Sequence, residues 1–371
     1  MKKPNSLLNT NKISIFKNLN YQTFILFGLI ICVSIISDFY FQNNYLAITF
    51  IVTTFLSTFI TYISIPLLKK IEIRQIIRKE GPKKHYLKQG TPTMGGVFFI
   101  PIGIITSNIF YFNNENYKVI LTLSLLIISF MLIGLFDDLI SLKKKINTGM
   151  TPNQKLIFQF LISLIFITYC SLNNFIPTYI QIADKTINVG NFIYPLGVFV
   201  LLAESNSTNL TDGLDGLLSG CSALIFTGLS IAILATNQTN TENLAPLCII
   251  MAGSSMGFLL LNKYPAKLFM GDSGSLAIGA SLGGIALISN HLWSLLIMGG
   301  VLAAESVSVI IQVIIFKISK KIRGKGYKLF LMTPIHHHFE LQGNKENQIV
   351  ATFWFITLLL TVINIIFIIK S

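Results

Sequence analysis

Charged residues are scarce in this chain. Only 12% of its 371 residues are Asp, Glu, Lys or Arg, whereas 52% are apolar and the mean hydropathy is +0.68. Soluble globular domains carry about 25% charged residues, so this composition argues against an ordinary soluble fold. Several apolar runs reach roughly 18 residues, which is long enough to cross a hydrocarbon core of about 30 Å as a helix. We predict an all-α, polytopic membrane helix bundle that forms one domain over residues 1–371.

Cysteine is also rare, and its spacing carries no functional signal. The chain has four cysteines, all inside apolar runs and none in a CxxC pair. This pattern argues against a zinc cluster or a disulfide framework and favours packing within helices. The four residues are Cys32, Cys170, Cys221 and Cys248.

Eleven apolar runs are candidates for membrane-spanning helices. The first begins too far from Met1, is too long and lacks a small-residue cleavage site, so we expect a retained helix and not a signal peptide. The sixth run is short and the ninth is rich in glycine. The runs lie near 21–41, 45–68, 94–112, 118–136, 156–172, 192–205, 214–236, 245–262, 273–289, 293–316 and 348–369.

The basic residues are distributed unevenly among the connecting segments. With a cytoplasmic N-terminus and eleven spans, all of the 28 Lys and Arg residues except Lys118, Lys185 and Lys370 fall in cytoplasmic segments. This bias follows the positive-inside rule, so it could reflect topology alone, although a phosphate-bearing partner would use the same charges. The odd number of spans places the C-terminus on the opposite face. Every loop with unusual chemistry then lies on the cytoplasmic face.

Two adjacent aspartates, Asp137 and Asp138, end the fourth apolar run and precede a lysine cluster at 143–145. On a helix, adjacent residues point about 100° apart, so one would face the bundle and the other the water. Simple solvation is the alternative reading, but carboxylates oppose the helix dipole at a C-terminus.

Four polar residues recur at every third position in the next cytoplasmic loop. They are Asn206, Asn209, Asp212 and Asp215. If the segment is helical, these side chains share one stripe, which could hold a hydrated cation or hydrogen-bond a substrate. N-capping of the seventh helix by Thr211 or Asp212 is the alternative, and it would account for one aspartate only.

Three further loops have features suited to binding phosphate. Asp272 lies between Gly271 and Ser273 before a glycine-rich helix, where backbone N–H groups can approach a phosphate, although this sequence also suits an ordinary turn. Three consecutive histidines follow Pro334, and we expect a short irregular loop there. Their lack of spacing disfavours zinc, so phosphate hydrogen bonding fits better. The basic loop 78–96 by itself suggests contact with anionic lipid.

Taken together, the five loops contain the groups that phosphoryl transfer requires. They supply carboxylates for a hard divalent cation, lysines and histidines for phosphates, and glycines for close backbone approach. An ion-coupled transporter is a remote alternative, but its carboxylates should lie in the middle of the spans, between repeated halves. Here the loop aspartates cluster at the predicted helix ends, and the sequence shows no internal repeat.

The motifs in these loops resemble the phospho-N-acetylmuramoyl-pentapeptide-transferase family, within the polyprenyl-phosphate N-acetylhexosamine-1-phosphate transferase superfamily. The triple histidine and the TPTMGG and FMGDSGSL sequences point to the muramoyl-pentapeptide branch. A sister family that transfers GlcNAc-1-phosphate is the nearest alternative. The matching motifs are KQGTPTMGG (88–96), FDD (136–138), NLTDGLDG (209–216), PAKLFMGDSGSL (265–276), ESVSVIIQV (305–313) and PIHHHFE (334–340).

The resemblance implies a reaction and its partners. UDP-MurNAc-pentapeptide and undecaprenyl phosphate would give lipid I and UMP, with Mg²⁺ as cofactor. The enzyme would lie in the bacterial inner (plasma) membrane with its active site on the cytoplasmic face. A homodimer is a candidate assembly, and no nucleic-acid partner is expected. Members usually have ten transmembrane helices, so the run at 21–41 would be an added one.

The resemblance also assigns roles to individual residues. Asp272 would be the main magnesium ligand, with Asp212 and Asp215 beside it, and Asp137 and Asp138 would assist the metal or the lipid phosphate. His336 would contact phosphate or position substrate. Lys88 would bind phosphate, Asn262 and Phe269 would hold the uracil end, and Gln312 would lie beside the cleft. The remaining substrate-binding candidates are Lys145, Lys155, Asn206, Asn209, His337 and His338.

One position departs from the family pattern. The family commonly has a lysine three residues after the second aspartate of the DD pair, whereas this chain has Ser141 there. Lys145 or Lys155 could supply the missing charge.

Overall fold

The computed structural model describes residues 10–42, 45–70, 88, 90–112, 117–144, 149–182, 185–236 and 244–370. The longer helices in this part of the chain are α1 (Thr10–Tyr40), α2 (Leu46–Lys70), α3 (Gly96–Tyr111), α4 (Tyr117–Lys144), α5 (Pro152–Leu172), α6 (Ile193–Thr211), α7 (Leu217–Ala235), α8 (Ala245–Asn262), α9 (Asp272–Ile288), α11 (Gly300–Arg323) and α13 (Glu346–Lys370). Two short helices, α10 (Leu292–Met298) and α12 (Ile335–Leu341), complete the set.

The helices confirm the prediction of an all-α, polytopic membrane protein. Among the described residues, eight helices are long and apolar enough to cross a membrane: α1 from Tyr21 onward, α2, α4, α5, α7, α8, α11 and α13. Two of the other predicted runs form the shorter apolar helices α3 and α9, and the short sixth run forms α6. The tenth predicted run is interrupted at Gly299, which separates α10 from α11.

Helices α7 and α8 form the centre of the bundle. In each of these two helices, 94% of the residues in the most apolar 18-residue stretch are buried. The corresponding share is only 28% in α5, α11 and α13. The outer helices expose large apolar side chains such as Phe55, Ile165 and Ile363. An apolar outer surface is what lipid contact requires, so the burial pattern agrees with a membrane location.

Two glycines allow α3 and α4 to approach α9 closely. A Cβ atom on Gly96 would lie 2.1 Å from the backbone nitrogen of Gly274, and one on Gly134 would lie 2.1 Å from the carbonyl oxygen of Asp272. Small residues at helix crossings let backbones pack directly against each other in membranes. The N-terminal end of α9 is therefore held against both α3 and α4.

A short β-hairpin was not anticipated from the sequence. Strands β1 (Tyr179–Ile182) and β2 (Lys185–Asn188) pair antiparallel, with Tyr179 opposite Asn188 and Ile182 opposite Lys185. The backbone N–H of Gln181 donates a hydrogen bond to Asn290 Oδ1 over 3.3 Å. This bond attaches the hairpin to the turn between α9 and α10, at the end of the bundle far from Asp272.

Candidate active site

Asp138 on α4 caps the N-terminus of α9. Its two carboxylate oxygens accept hydrogen bonds from the backbone N–H groups of Asp272 and Ser273, each over 3.1 Å. The first N–H groups of a helix have no partner within the helix, and a carboxylate there also interacts favourably with the helix dipole. Asp138 therefore fixes the position of Asp272, and both of its oxygens are engaged in doing so.

The Asp272 side chain lies where α5, α6 and α9 meet. Its Oδ2 accepts a hydrogen bond from Lys155 Nζ over 2.5 Å, and its Oδ1 accepts one from Asn209 Nδ2 over 2.8 Å. Lys155 Nζ also lies 3.4 Å from Asn209 Oδ1. Three residues that the sequence named separately are thus in direct contact, and Lys155 supplies a positive charge beside the aspartates.

Asp137 points about 100° away from Asp138 around α4. It accepts a hydrogen bond from the backbone N–H of Met150 over 3.0 Å, and its carboxylate lies within hydrogen-bonding reach of Asp272. A Cβ atom on Gly149 would lie 2.4 Å from Asp137 Oδ2, so the chain before α5 packs directly on this side chain. The two adjacent aspartates have different partners, as their angular separation on a helix requires.

Asp212 follows the last residue of α6 and lies near three other carboxyl groups. Within the described part of the chain, its carboxylate has no hydrogen-bond partner. Burial raises the pKa of Asp212 well above its usual value, and the negative charges of Asp272, Asp138 and Asp215 add to this effect. A cation in the cleft would relieve this repulsion.

The donor chemistry around Asp272 suits a hard divalent cation. Mg²⁺ prefers oxygen ligands, and the carboxylates of Asp137, Asp212 and Asp272 and the amide oxygen of Asn209 are such ligands. No group of three or more His, Cys, Asp or Glu side chains is close enough to form a ready-made metal site among the residues described. The oxygen donors and their negative charges suit magnesium. In this structure the positive charge of Lys155 neutralises the Asp272 carboxylate.

Asp215 does not continue the predicted stripe, because α6 ends at Thr211. Lys88 Nζ instead donates to Asp215 Oδ1 over 2.7 Å and to Glu346 Oε1 over 2.5 Å. The second oxygen of Asp215 accepts from the backbone N–H of Ala266 over 2.9 Å. Burial disfavours the charged ammonium, but the two carboxylates outweigh it and raise the pKa of Lys88. Asp215 thus belongs to a second charged cluster, and its assignment as a metal ligand stays a prediction.

We expect Lys88, Asp215 and Glu346 to be energetically coupled. Lys88→Met leaves two neighbouring, mostly buried carboxylates without their cation, so the free energy of unfolding should fall by ~1–3 kcal/mol. Adding Glu346→Gln removes one of the two charges and should recover part of that loss. Thermal unfolding of the two single variants and the double variant measures the coupling. Effects that add to within about 0.5 kcal/mol would show that the cluster is not a unit.

The N-capping alternative for the third loop is wrong. Asp212 follows the C-terminus of α6, and the N-cap of α7 is Gly216, which has a φ of 82°. That left-handed conformation favours glycine. The amide of Asn262 completes the turn, because its Oδ1 accepts from Gly216 N–H over 3.0 Å and from Ser219 Oγ over 3.1 Å.

Asn206 and Asn262 are engaged within the protein, and Phe269 is more accessible. Asn206 Nδ2 donates to Gln159 Oε1 over 2.9 Å, on the side of α6 that faces α5. Asn262 is buried and also donates to the carbonyl of Leu268 over 3.0 Å, which leaves little capacity for a uracil ring. Phe269 has a partly exposed side chain. A nucleotide-binding role stays a prediction for these residues.

Gln312 holds the loop before the histidines against α11. Its Oε1 accepts from the backbone N–H groups of Leu329 and Phe330, each over 3.0 Å, and its Nε2 donates to Phe330 O over 3.2 Å. Gln312 therefore anchors this loop, and its place beside the substrate cleft stays a prediction. Lys145 lies outside the described residues.

The expectation of an irregular loop at the histidines is wrong. Pro334 is the N-cap of α12, which contains all three histidines. A proline restricts the residue before it but is tolerated at the start of a helix, so α12 can begin immediately after it. His337 Nδ1 lies 2.7 Å from Glu340 Oε2, and His338 Nδ1 accepts from the backbone N–H of Leu331 over 3.2 Å.

His336 is completely buried beside a carboxylate that the sequence analysis did not single out. Its Nδ1 lies 3.1 Å from Glu305 Oε2, and both side chains are inaccessible to solvent. On the opposite side of the ring, a Cβ atom on Gly213 would lie 2.2 Å from His336 Nε2. The imidazole therefore fills the space between α11 and the turn that carries Asp212. Direct contact with a substrate phosphate would require this ring to move.

Replacing Glu305 should destabilise the protein through His336. Glu305→Leu removes the carboxylate that lies 3.1 Å from the buried imidazole, and we expect a loss of ~1–3 kcal/mol in the free energy of unfolding. Glu305→Gln retains an acceptor oxygen and should lose less. Thermal unfolding of both variants tests this ranking, and a Glu305→Leu protein as stable as the original would contradict it.

This chain is similar in sequence to proteins of one known family. A family model for glycosyl transferase family 4 matches residues 120–290, and the phospho-N-acetylmuramoyl-pentapeptide-transferase signature 1 matches residues 88–100. A phospho-N-acetylmuramoyl-pentapeptide-transferase of Prochlorococcus marinus (strain NATL2A) is 70% identical over 371 residues, which is 100% of both chains. Similarly named proteins of Prochlorococcus marinus (strain MIT 9313) and Synechococcus sp. (strain CC9311) are 46% and 43% identical, over 90% and 89% of this chain and 90% of each relative. This chain therefore belongs to the phospho-N-acetylmuramoyl-pentapeptide-transferase family.

Proposed function

We propose that this chain transfers phospho-MurNAc-pentapeptide from UDP-MurNAc-pentapeptide to undecaprenyl phosphate, which yields lipid I and UMP. The observation that carries the proposal is the cluster around Asp272. Its backbone is capped by Asp138 of α4, and its side chain contacts Lys155 of α5 and Asn209 of α6. Family membership supplies the substrates, and the cluster supplies charged groups suited to a transfer between two phosphates.

In this reaction an oxygen of the lipid phosphate attacks the β-phosphorus of the UDP-sugar. A new P–O bond forms there, the bond from that phosphorus to the bridging oxygen breaks, and UMP leaves with the electron pair. The protein contributes mainly by positioning the two phosphates and neutralising charge. Lys155 can exchange its contact with Asp272 for one with a phosphate oxygen, because the same flexible ammonium serves both partners.

We also propose that the reaction depends on Mg²⁺. Asp272, Asp212 and Asp137 would hold the ion, because Asp212 and Asp137 each interact electrostatically with Asp272, whose ion-pair partner among the described residues is Lys155. The ion would neutralise negative charge on the pyrophosphate and on the departing UMP. Asp138 would act by fixing α9, and Asp215 by fixing the turn that carries Asp212.

The identity of the sugar nucleotide is tested by UMP release. Purified protein receives undecaprenyl phosphate, Mg²⁺ and either UDP-MurNAc-pentapeptide or UDP-GlcNAc. We expect release with the first donor only. Turnover with UDP-GlcNAc alone would assign the chain to the GlcNAc-1-phosphate branch. No UMP with either donor would contradict the proposed transfer.

We propose that the site faces the cytoplasm of a bacterial inner (plasma) membrane. The basic segments support this orientation, since the Lys88 cluster and the Lys155–Asp272 contact lie at the same end of the bundle. A reporter fused after residue 371 should read as external, and one inserted in the 69–93 loop as cytoplasmic. The reverse pattern would contradict the orientation. A homodimer stays a prediction.

A further inference from the structure

A cavity lies at the end of the bundle opposite the aspartates. It has a volume of about 180 Å³ and is lined by the hairpin, the end of α7, the α9–α10 turn, α10 and the last turns of α13. Helix α7 begins beside Asp215 and ends at this cavity, so a 19-residue helix, about 28 Å long, separates the two regions. The transfer reaction gives this cavity no role.

Two buried amides line the cavity with unsatisfied polar atoms. Asn364 is 0% exposed, and neither its Nδ2 nor its Oδ1 has a hydrogen-bond partner within the described residues. Asn290 is 4% exposed; its Oδ1 accepts from Gln181, but its Nδ2 has no partner there either. Leaving a buried polar group unpaired is destabilising, so a ligand or water is expected to satisfy these atoms.

The other described residues that line the cavity are uncharged, and two of them, Trp293 and Phe367, are aromatic. No described residue that lines the cavity is Asp, Glu, Lys or Arg. Burial lowers the pKa of His291 below its usual value, so its ring stays uncharged at neutral pH. Trp293 is 36% exposed at the rim, and Phe367 adds an apolar surface. The described lining therefore offers no counter-charge to a phosphate or an ammonium group.

We propose that this cavity binds a neutral, hydroxyl-bearing pyranose ring. An amide presents two donors and an acceptor with two lone pairs, which matches neighbouring sugar hydroxyls that each donate and accept. Trp293 offers an aromatic face and an N–H donor at the rim, the combination expected where one side of a ligand is apolar and the other polar. The ring could belong to a glycolipid head group in the adjacent leaflet or to a free sugar.

Trp293 provides a direct reporter, because the chain contains only two tryptophans and the other, Trp354, packs against Gly220 near the opposite end. The protein is placed in sugar-free lipid nanodiscs that contain increasing amounts of a monohexosyl diacylglycerol. Parallel titrations use the same diacylglycerol without the hexose, and a soluble methyl hexoside. A Trp293→Phe variant measures the contribution of Trp354.

We expect a saturable change in Trp293 emission with the hexosyl lipid and none with the sugar-free lipid. A response to the methyl hexoside as well would identify the free ring as sufficient, and a response to the lipid only would identify a head group. Asn364→Leu should weaken the apparent affinity about tenfold or more, the factor that corresponds to ~1.4 kcal/mol. UMP release by this variant should be unchanged, since the cavity is remote from Asp272.

Asn364→Leu also separates a binding role from a folding role. Because the amide has no hydrogen-bond partner among the described residues, its replacement by an apolar side chain should leave thermal stability in sugar-free nanodiscs unchanged or higher. The hexosyl lipid should then raise the unfolding temperature of the original protein but not of the variant. An absent response in the original protein, an equal response in Asn364→Leu, or an equal response to sugar-free lipid would show that the cavity holds only water or lipid chains.

Discussion

Asp272→Asn should lower turnover by roughly two to three orders of magnitude while the protein still folds. Asparagine retains an oxygen that can accept from Asn209, and the N-terminus of α9 stays capped by Asp138. The substitution removes the negative charge that Lys155 now pairs with and that Mg²⁺ would use. Losing several kcal/mol of charge stabilisation in the transition state corresponds to a rate loss of this size.

The matched control is Asp38→Asn. Asp38 accepts hydrogen bonds from the backbone N–H groups of Leu46 and Ala47 at the start of α2, at the far end of the bundle. Asparagine has one acceptor oxygen, so it can keep one of these two hydrogen bonds but not both. This variant should therefore lose some stability but keep its activity, because Asp38 is remote from Asp272. Steady-state UMP release is measured for Asp272→Asn and Asp38→Asn, and only the first should show a large loss. Near-normal turnover of Asp272→Asn at ordinary Mg²⁺ concentration would remove Asp272 from the metal site and make Asp137 and Asp138 the leading candidates.

Gly134→Ala should displace the N-terminus of α9 from α4. The added Cβ would lie 2.1 Å from the Asp272 carbonyl oxygen and 2.4 Å from the Ser273 nitrogen, and backbone atoms cannot rotate away. The two helices must separate, which weakens the cap that Asp138 forms four residues later. We expect a loss of ~1–3 kcal/mol in the free energy of unfolding, as for other overpacked cores, and at least a tenfold loss of turnover.

Gly28→Ala on α1 provides the comparison for this variant. A Cβ atom there would meet no heavy atom within 4 Å, so the same chemical change should be neutral or slightly favourable to the helix. Thermal unfolding and UMP release are measured for both variants. Equal behaviour of Gly134→Ala and Gly28→Ala would show that the α4–α9 contact does not position Asp272.

The placement of the helices and the convergence of the loops were largely predictable from the sequence. Apolar runs of spanning length identify transmembrane helices because the membrane requires internal backbone hydrogen bonding. Alternating orientation of these helices then brings Lys155, Asn209 and Asp272 to one end. The distribution of basic residues among the loops also predicts that these three residues lie at the same end of the bundle.

The partners of individual side chains were not predictable, because they depend on contacts between distant segments. The cap that Asp138 provides for α9 joins residues more than 130 positions apart. Glu346 lies at the start of an apolar run, and the sequence analysis did not identify it as a partner of Lys88. Glu305 lies within the ESVSVIIQV motif, but nothing in that motif indicates that its side chain faces His336. A carboxylate inside an otherwise apolar helix is itself a signal that could have identified Glu305.

The spacing of three residues from Asn206 to Asp215 was misleading for a related reason. A stripe along a helix requires the helix to continue, but α6 ends at Thr211 and the chain turns through Gly216. Asp212 and Asp215 therefore face different neighbours. Local spacing cannot reveal where a helix stops when the next segment is fixed by the distant side chains of Lys88 and Asn262.

Tracking the β-phosphorus tests the proposed reaction most directly. UDP-MurNAc-pentapeptide labelled with ³²P at the β position is incubated with the purified protein, undecaprenyl phosphate and Mg²⁺, and the lipid and nucleotide fractions are separated. Attack at the β-phosphorus predicts that the label enters the lipid fraction while unlabelled UMP is released in equal amount. Label in released UDP, with an unlabelled sugar lipid, would show attack at the sugar carbon and would contradict phospho-sugar transfer.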